Sequence, residues 1–79
     1  MSKEYYKKKI VDLRAKIANE REAKKRDNAN YASYIKSASS PSSKASYRTR
    51  KIDAAARHDR NIESYKREIE NCKEAIKRY

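Results

Sequence analysis

The apolar positions follow the same helical spacing near both ends of the chain. Near the N-terminus, Ile10, Leu13 and Ile17 recur every three or four residues, and a longer series near the C-terminus does the same. This spacing predicts two amphipathic helices with one narrow apolar stripe each. A Ser- and Pro-rich segment at 37–43 interrupts the pattern, so we expect a helix over about 2–36, a turn at 37–43 and a helix over about 42–78.

Folding the chain at Pro41 brings the two stripes into register. Position i then lies opposite position 82 − i, so that Leu13 faces Ile69. Layers of this kind are typical of an antiparallel coiled coil. The sequence therefore predicts an all-α fold, a single-domain two-helix antiparallel coiled-coil hairpin. The expected seam consists of Tyr6, Ile10, Leu13, Ile17, Ile62, Tyr65, Ile69, Cys72 and Ile76.

The length and composition of the chain point to association. It has 79 residues, of which 42% are charged, and no Gly, Trp or Phe. A lone hairpin buries only one face of each helix, so we expect self-association into a dimer or small bundle, or a protein partner that completes the core. One long helix that kinks at Pro41 and pairs between chains would use the same seam residues and is the alternative architecture.

The expected seam turns polar in the middle of the hairpin. Glu20, Lys24 and Asp27 continue the first heptads, while Ala55 and His58 continue the second, which places His58 opposite Lys24. Three explanations compete: local fraying, long side chains that cover apolar surface, or a polar layer that fixes register or oligomer state, which we prefer. His58 is then either an ordinary half-exposed polar residue, the simpler interpretation, or a pH-sensitive register point.

The net charge of +11, from 22 basic and 11 acidic residues, predicts attraction to polyanions such as nucleic acid. The candidate polyanion contacts are Lys24, Lys25, Arg26, Arg57 and Arg60. Tyrosine and arginine near the turn form a candidate partner-binding tip, because both residue types are enriched in binding hot spots and also stack on bases. These tip residues are Tyr31, Tyr34, Tyr47, Arg48 and Arg50. In the simpler interpretation, the tyrosines only close that end of the coiled coil.

No motif in the sequence indicates catalysis. A Gly-rich phosphate loop, an H-E-x-x-H motif and a nucleophile with a plausible pocket are all missing, so we expect no enzymatic activity and no cofactor. The single histidine and Cys72, fourteen residues apart, do not suggest a metal site, and Cys72 occupies an apolar seam position. One cysteine, no apolar leader and no apolar run of membrane-spanning length predict a cytoplasmic protein.

The turn and the second helix carry a recognisable arrangement of residues. Ser39-Ser40-Pro41-Ser42-Ser43-Lys44 leads into Arg48-Thr49-Arg50-Lys51-Ile52 and then into heptads from Ala55 to Ile76. Over residues 10–76 the chain resembles the N-terminal coiled-coil region of bacterial TIR-domain proteins, which assembles subunits in immune signalling. No TIR domain lies within these 79 residues, so the resemblance implies assembly without NAD cleavage. We therefore expect a non-catalytic interaction module of a larger bacterial assembly, with binding of nucleic-acid backbone as the alternative.

Overall fold

The computed structural model describes residues 2–79, which form two long helices joined by a short connection. Helix α1 spans Lys3–Ser37 and helix α2 spans Pro41–Lys77. The helices lie antiparallel along their whole length, in a rod of 60 × 14 × 12 Å. The predicted all-α hairpin is confirmed, and the alternative of one continuous kinked helix is wrong for this chain.

Serine side chains start both helices. Ser2 precedes α1 and its Oγ accepts a hydrogen bond from the Tyr5 backbone N–H at 3.3 Å. Ser40 precedes α2 and its Oγ accepts from the Ser43 backbone N–H at 3.1 Å. Pro41 occupies the first position of α2, where a backbone N–H has no helical partner in any case.

The connection is shorter than the predicted turn at 37–43. It comprises Ala38 to Ser40, because the Ser40 cap allows α2 to begin directly at Pro41. Ala38 leaves α1 with extended backbone angles, φ −66° and ψ 136°. Residues 2–79 contain no positive φ angle, which explains how a chain without glycine makes this turn.

One apolar cluster holds the two helices together. It lies in the half of the rod that contains the chain ends, between the first half of α1 and the second half of α2. All nine expected seam residues belong to it. Ile10, Leu13, Ile17, Ile62, Ile69 and Cys72 are buried, and Tyr6, Tyr65 and Ile76 pack against them partly exposed.

The seam of α2 departs from the heptad pattern near its middle. The pattern places Ala55 in the seam, but the structure buries Ala54, which is 1% exposed, and leaves Ala55 half-buried. Ala54, His58 and Ile62 follow each other in two successive steps of four residues. A four-residue step in place of a three-residue step locally unwinds the supercoil, and this moves the buried stripe by one residue.

Candidate interaction surfaces

His58 lies between two carboxylates in the middle of the hairpin. Its Nδ1 is 2.6 Å from Oε2 of Glu20, and its Nε2 is 2.6 Å from Oδ2 of Asp27. The side chains of His58 and Glu20 are 16% and 19% exposed, so both are largely removed from water. A ring whose two nitrogens both face carboxylates is best satisfied as an imidazolium, which donates from both positions.

The pKa values of this cluster follow from its hydrogen bonds. The bonds to Asp27 and then to Glu20 raise the pKa of His58 above its ordinary value of 6.5, against the opposing effect of burial. The bond from His58 lowers the pKa of Glu20 below 4.5. Each partner therefore favours the charged form of the other.

Two further contacts extend this cluster across the seam. The Asn61 amide donates to Oε1 of Glu20 at 3.1 Å, and Lys24 Nζ donates to Oδ1 of Asp59 at 2.8 Å. Lys24 lies opposite His58 in the predicted register, but it turns to the neighbouring Asp59. Sequence reasoning missed Asn61 and Asp59, although both lie within three residues of His58 and carry groups that pair with those of α1.

The structure bears on the three explanations for the polar seam. Helix α1 runs unbroken through residues 20–28, so its middle is not frayed in this structure. No buried side-chain nitrogen or oxygen in residues 2–79 lacks a hydrogen-bond partner. The middle of the hairpin is thus a layer of paired polar groups joining α1 to α2, which we call the polar layer: His58, Glu20, Asp27, Asn61, Lys24 and Asp59.

The tyrosines near the turn contact one another. The ring centroids of Tyr31 and Tyr34 are 5.9 Å apart, and those of Tyr34 and Tyr47 are 5.5 Å apart. The Arg50 guanidinium lies over the Tyr47 ring at 5.6 Å. The tyrosines of the candidate tip therefore form an aromatic cluster between the helices. Arg48 is not part of this cluster and lines a groove between α1 and α2.

A groove runs along one face of the hairpin between α1 and α2. The groove has three sections: one towards the chain ends, one in the middle and one nearest the turn. Arg21 and Lys66 line both the end section and the middle section, and Asn28 lines both the middle section and the section nearest the turn. The acidic lining residues are Asp59, Glu63 and Glu70. The basic lining residues are Arg14, Arg21, Lys24, Lys25, Arg48, Lys51, Lys66 and Lys73. We call this surface the basic groove.

Only part of the predicted polyanion set lies on this surface. Lys24 and Lys25 line the basic groove, and Lys24 is already paired with Asp59. Arg26, Arg57 and Arg60 are exposed but are not among its lining residues. The predicted polyanion contacts therefore lie on more than one face of the hairpin, because consecutive residues spread around a helix.

The section of the basic groove nearest the turn has an apolar floor, and we call it the tip groove. It has a volume of about 420 Å³ and is lined by Asn28, Ile35, Arg48, Lys51, Ile52 and Ala55. Ile52 is 69% exposed, although it is an aliphatic residue. The sequence analysis assigned neither Ile35 nor Ile52 to the seam or to a binding surface, because neither occupies a regular heptad position of the seam.

Other candidate chemistry is sparse in the described part of the chain. Cys72 is a free thiol, 3% exposed, within the apolar cluster. Across residues 2–79, His, Cys, Asp and Glu side chains form no cluster suited to a metal ion. Neither α1 nor α2 contains an apolar stretch of the kind that crosses a membrane.

Comparison with models of protein families, with curated proteins and with solved structures finds no match to this chain.

Proposed function

We propose that this protein is a non-catalytic coiled-coil interaction module. It acts as a subunit or adaptor of a larger assembly, by packing helices of another chain, a second copy or a partner, against its exposed faces. The resemblance to the assembly region of bacterial TIR-domain proteins supports a bacterial, immune-signalling setting for this role. A cytoplasmic location fits the single free cysteine.

The observation that carries the proposal is the large accessible surface of the hairpin. A compact monomer of this mass is expected to expose about 5,000 Å², whereas this chain of 9.3 kDa exposes 5954 Å². The excess is close to the roughly 800 Å² that one partner buries in a stable protein–protein interface. A rod 14 × 12 Å in cross-section has no second layer to cover its outer faces, and the proposal assigns that layer to another chain.

Light scattering on a sizing column tests self-assembly. We expect a dimer or tetramer whose mass is the same at physiological and high salt, without excess absorbance at 260 nm. Ile69→Asp places a charge in the apolar cluster, so helicity and association should be lost together. Asn71→Asp is the matched control, because Asn71 is exposed and polar, so the same charge is added to the same helix without removing apolar surface.

Two results would contradict self-assembly. One is a wild-type monomer at every salt and protein concentration. The other is an Ile69→Asp variant that stays helical and associated.

The basic groove favours a second candidate function, binding of nucleic-acid backbone. Its lining carries eight basic and three acidic residues, and the whole chain has a net charge of +11. Charge reversal at Arg14, Arg21 and Lys25, which line the basic groove, should weaken binding of a labelled duplex and flatten its salt dependence. The same reversal at Arg26, Arg57 and Arg60, which lie outside the groove, should do so less. A wild-type chain that ignores duplex and single-stranded probes at low salt would end this candidate.

A further inference from the structure

We propose that the tip groove binds an acidic amphipathic helix of another protein. The inference rests on the proposed function and specifies the chemistry of the partner. It is carried by the combination of an apolar floor that includes the exposed Ile52 and unpaired basic side chains in one groove.

The floor of the tip groove is apolar and is built by both helices. Ile35 of α1 and Ala55 of α2 are half-buried, and Ile52 is 69% exposed. On α2, Arg48, Ile52 and Ala55 follow the i, i+4, i+7 spacing of one helical stripe. A third helix placed in the groove between α1 and α2 would cover the exposed Ile52 with the apolar side chains of its own surface.

The rim of the tip groove carries positive charge that no group of the hairpin neutralises. Arg48 and Lys51 form no ion pair within residues 2–79, whereas Lys24 in the middle section is held by Asp59. The middle section also contains Glu63, while the tip section contains no acidic residue. A partner helix with Asp or Glu beside its apolar stripe therefore complements the tip section specifically.

A second copy of this chain is a poor occupant. Each copy has a net charge of +11, and lysine and arginine flank the apolar side chains of its tip groove. Two copies that met at this groove would therefore bring like charges together. A nucleic acid is also a poor occupant, because its backbone leaves the apolar floor unmatched. The tip tyrosines, which are the candidates for stacking on bases, contact one another.

The test is a titration of the full chain against a labelled acidic amphipathic peptide of about 20 residues, long enough to form a helix. The peptide has Leu at i, i+3, i+4 and i+7 and Glu on both flanks. We expect saturable binding by fluorescence anisotropy and a gain of helicity by circular dichroism. A peptide with the same leucines and Lys in place of Glu should not bind.

Paired variants locate the binding site. Arg48→Glu with Lys51→Glu, and separately Ile52→Ser, should weaken binding about tenfold or more, as hot-spot residues do. Lys8→Glu with Lys9→Glu changes the net charge equally at the other end of the rod, and Val11→Ser removes an equally exposed aliphatic side chain. These controls should change the affinity less than about twofold. Circular dichroism of each variant checks that the hairpin remains folded.

Several outcomes would overturn the inference. They are no saturable binding of the acidic peptide, equal weakening by groove and control variants, or an oligonucleotide that displaces the peptide from the groove. Loss of self-association in the groove variants would instead assign this surface to a second copy. Light scattering on the same samples separates the two proposals: an assembled hairpin that ignores the peptide contradicts only the inference.

Discussion

At the scale of single residues, His58 makes the main charge-assisted contacts between the two helices. It bridges two carboxylates that lie seven residues apart on α1, and it does so from a seam position on α2. Without the imidazolium, Glu20 and Asp27 would face the same space as like charges. We therefore expect the register of the two helices to depend on the protonation of this ring.

This pairing predicts a pH-dependent stability. Because the pKa of His58 is raised in the folded state, its contribution is fully present below about pH 6.5 and is lost as the pH rises through that raised value. Because the pKa of Glu20 is lowered, its contribution is present above pH 4.5 and is lost as the pH falls through the lowered value. Stability from this cluster is therefore greatest between the two ordinary values.

Urea unfolding followed by circular dichroism between pH 6 and 9 measures the effect. Wild type should lose about 1 kcal/mol across this range, less than the roughly 1.5–3 kcal/mol of a charge-assisted hydrogen bond, because the side chain of Asp27 is 39% exposed. His58→Gln should be less stable at pH 6 and nearly flat above it, because glutamine does not titrate. A wild-type curve parallel to that of the variant would contradict the role of His58.

The sequence could place these polar groups near one another but could not choose between the pairings. The register rule puts His58 opposite Lys24, and that neighbourhood is correct. Several carboxylates lie near Lys24 and His58 along the helices. The side-chain rotamers determine that Asp59 pairs with Lys24, while Glu20 and Asp27 pair with His58. Local side-chain geometry of this kind has no periodic signature in a sequence.

At the scale of the helices, the ends are set by serine caps and one proline. The structure gives Ser40 two roles: its Oγ accepts from the Ser43 backbone N–H, and its carbonyl accepts from the Lys44 N–H at 3.1 Å. The neighbouring Ser39 makes neither bond. The Ser-Pro sequence predicts a serine cap before Pro41 but leaves Ser39 and Ser40 as alternatives. It does not predict the length of the turn, because Ser42 and Ser43 suit a loop and a first helical turn equally.

Ser40→Ala should therefore destabilise the hairpin by about 1 kcal/mol, the usual cost of an N-cap hydroxyl. Ser39→Ala is the matched control and should fall within about 0.5 kcal/mol of wild type. Thermal and urea unfolding of the two variants provides the comparison. Equal stability of both variants would mean that Pro41 alone starts α2.

The seam shows both the strength and the limit of periodicity as a predictor. The regular steps of three and four residues identified the half of the rod that is rich in isoleucine. The shift from Ala55 to Ala54 escaped the heptad because alanine is small enough to sit in the seam or beside it. The packing of the neighbouring layers decides which of two adjacent alanines is buried.

At the scale of the whole molecule, the hairpin is a thin rod. Its Cα radius of gyration is 17.9 Å. A single unbroken helix of the same chain would be about 115 Å long, with a radius of gyration above about 30 Å. X-ray scattering during elution from a sizing column should give the compact value for a monomeric fraction. A value near that of the long helix would show that the chain opens at Pro41 in solution.

The position of the apolar cluster has a consequence for how the chain folds and frays. The covalent connection lies at one end of the rod, but the cluster lies towards the other, where Leu13 meets residues some 56 positions away. The entropy cost of closing that long loop comes before most of the free energy gained by burying apolar side chains. If the helices pair progressively from the turn, the free energy therefore rises as pairing passes through the polar layer. Amide hydrogens near the two termini should then exchange more slowly than those beside the turn, the reverse of ordinary end fraying.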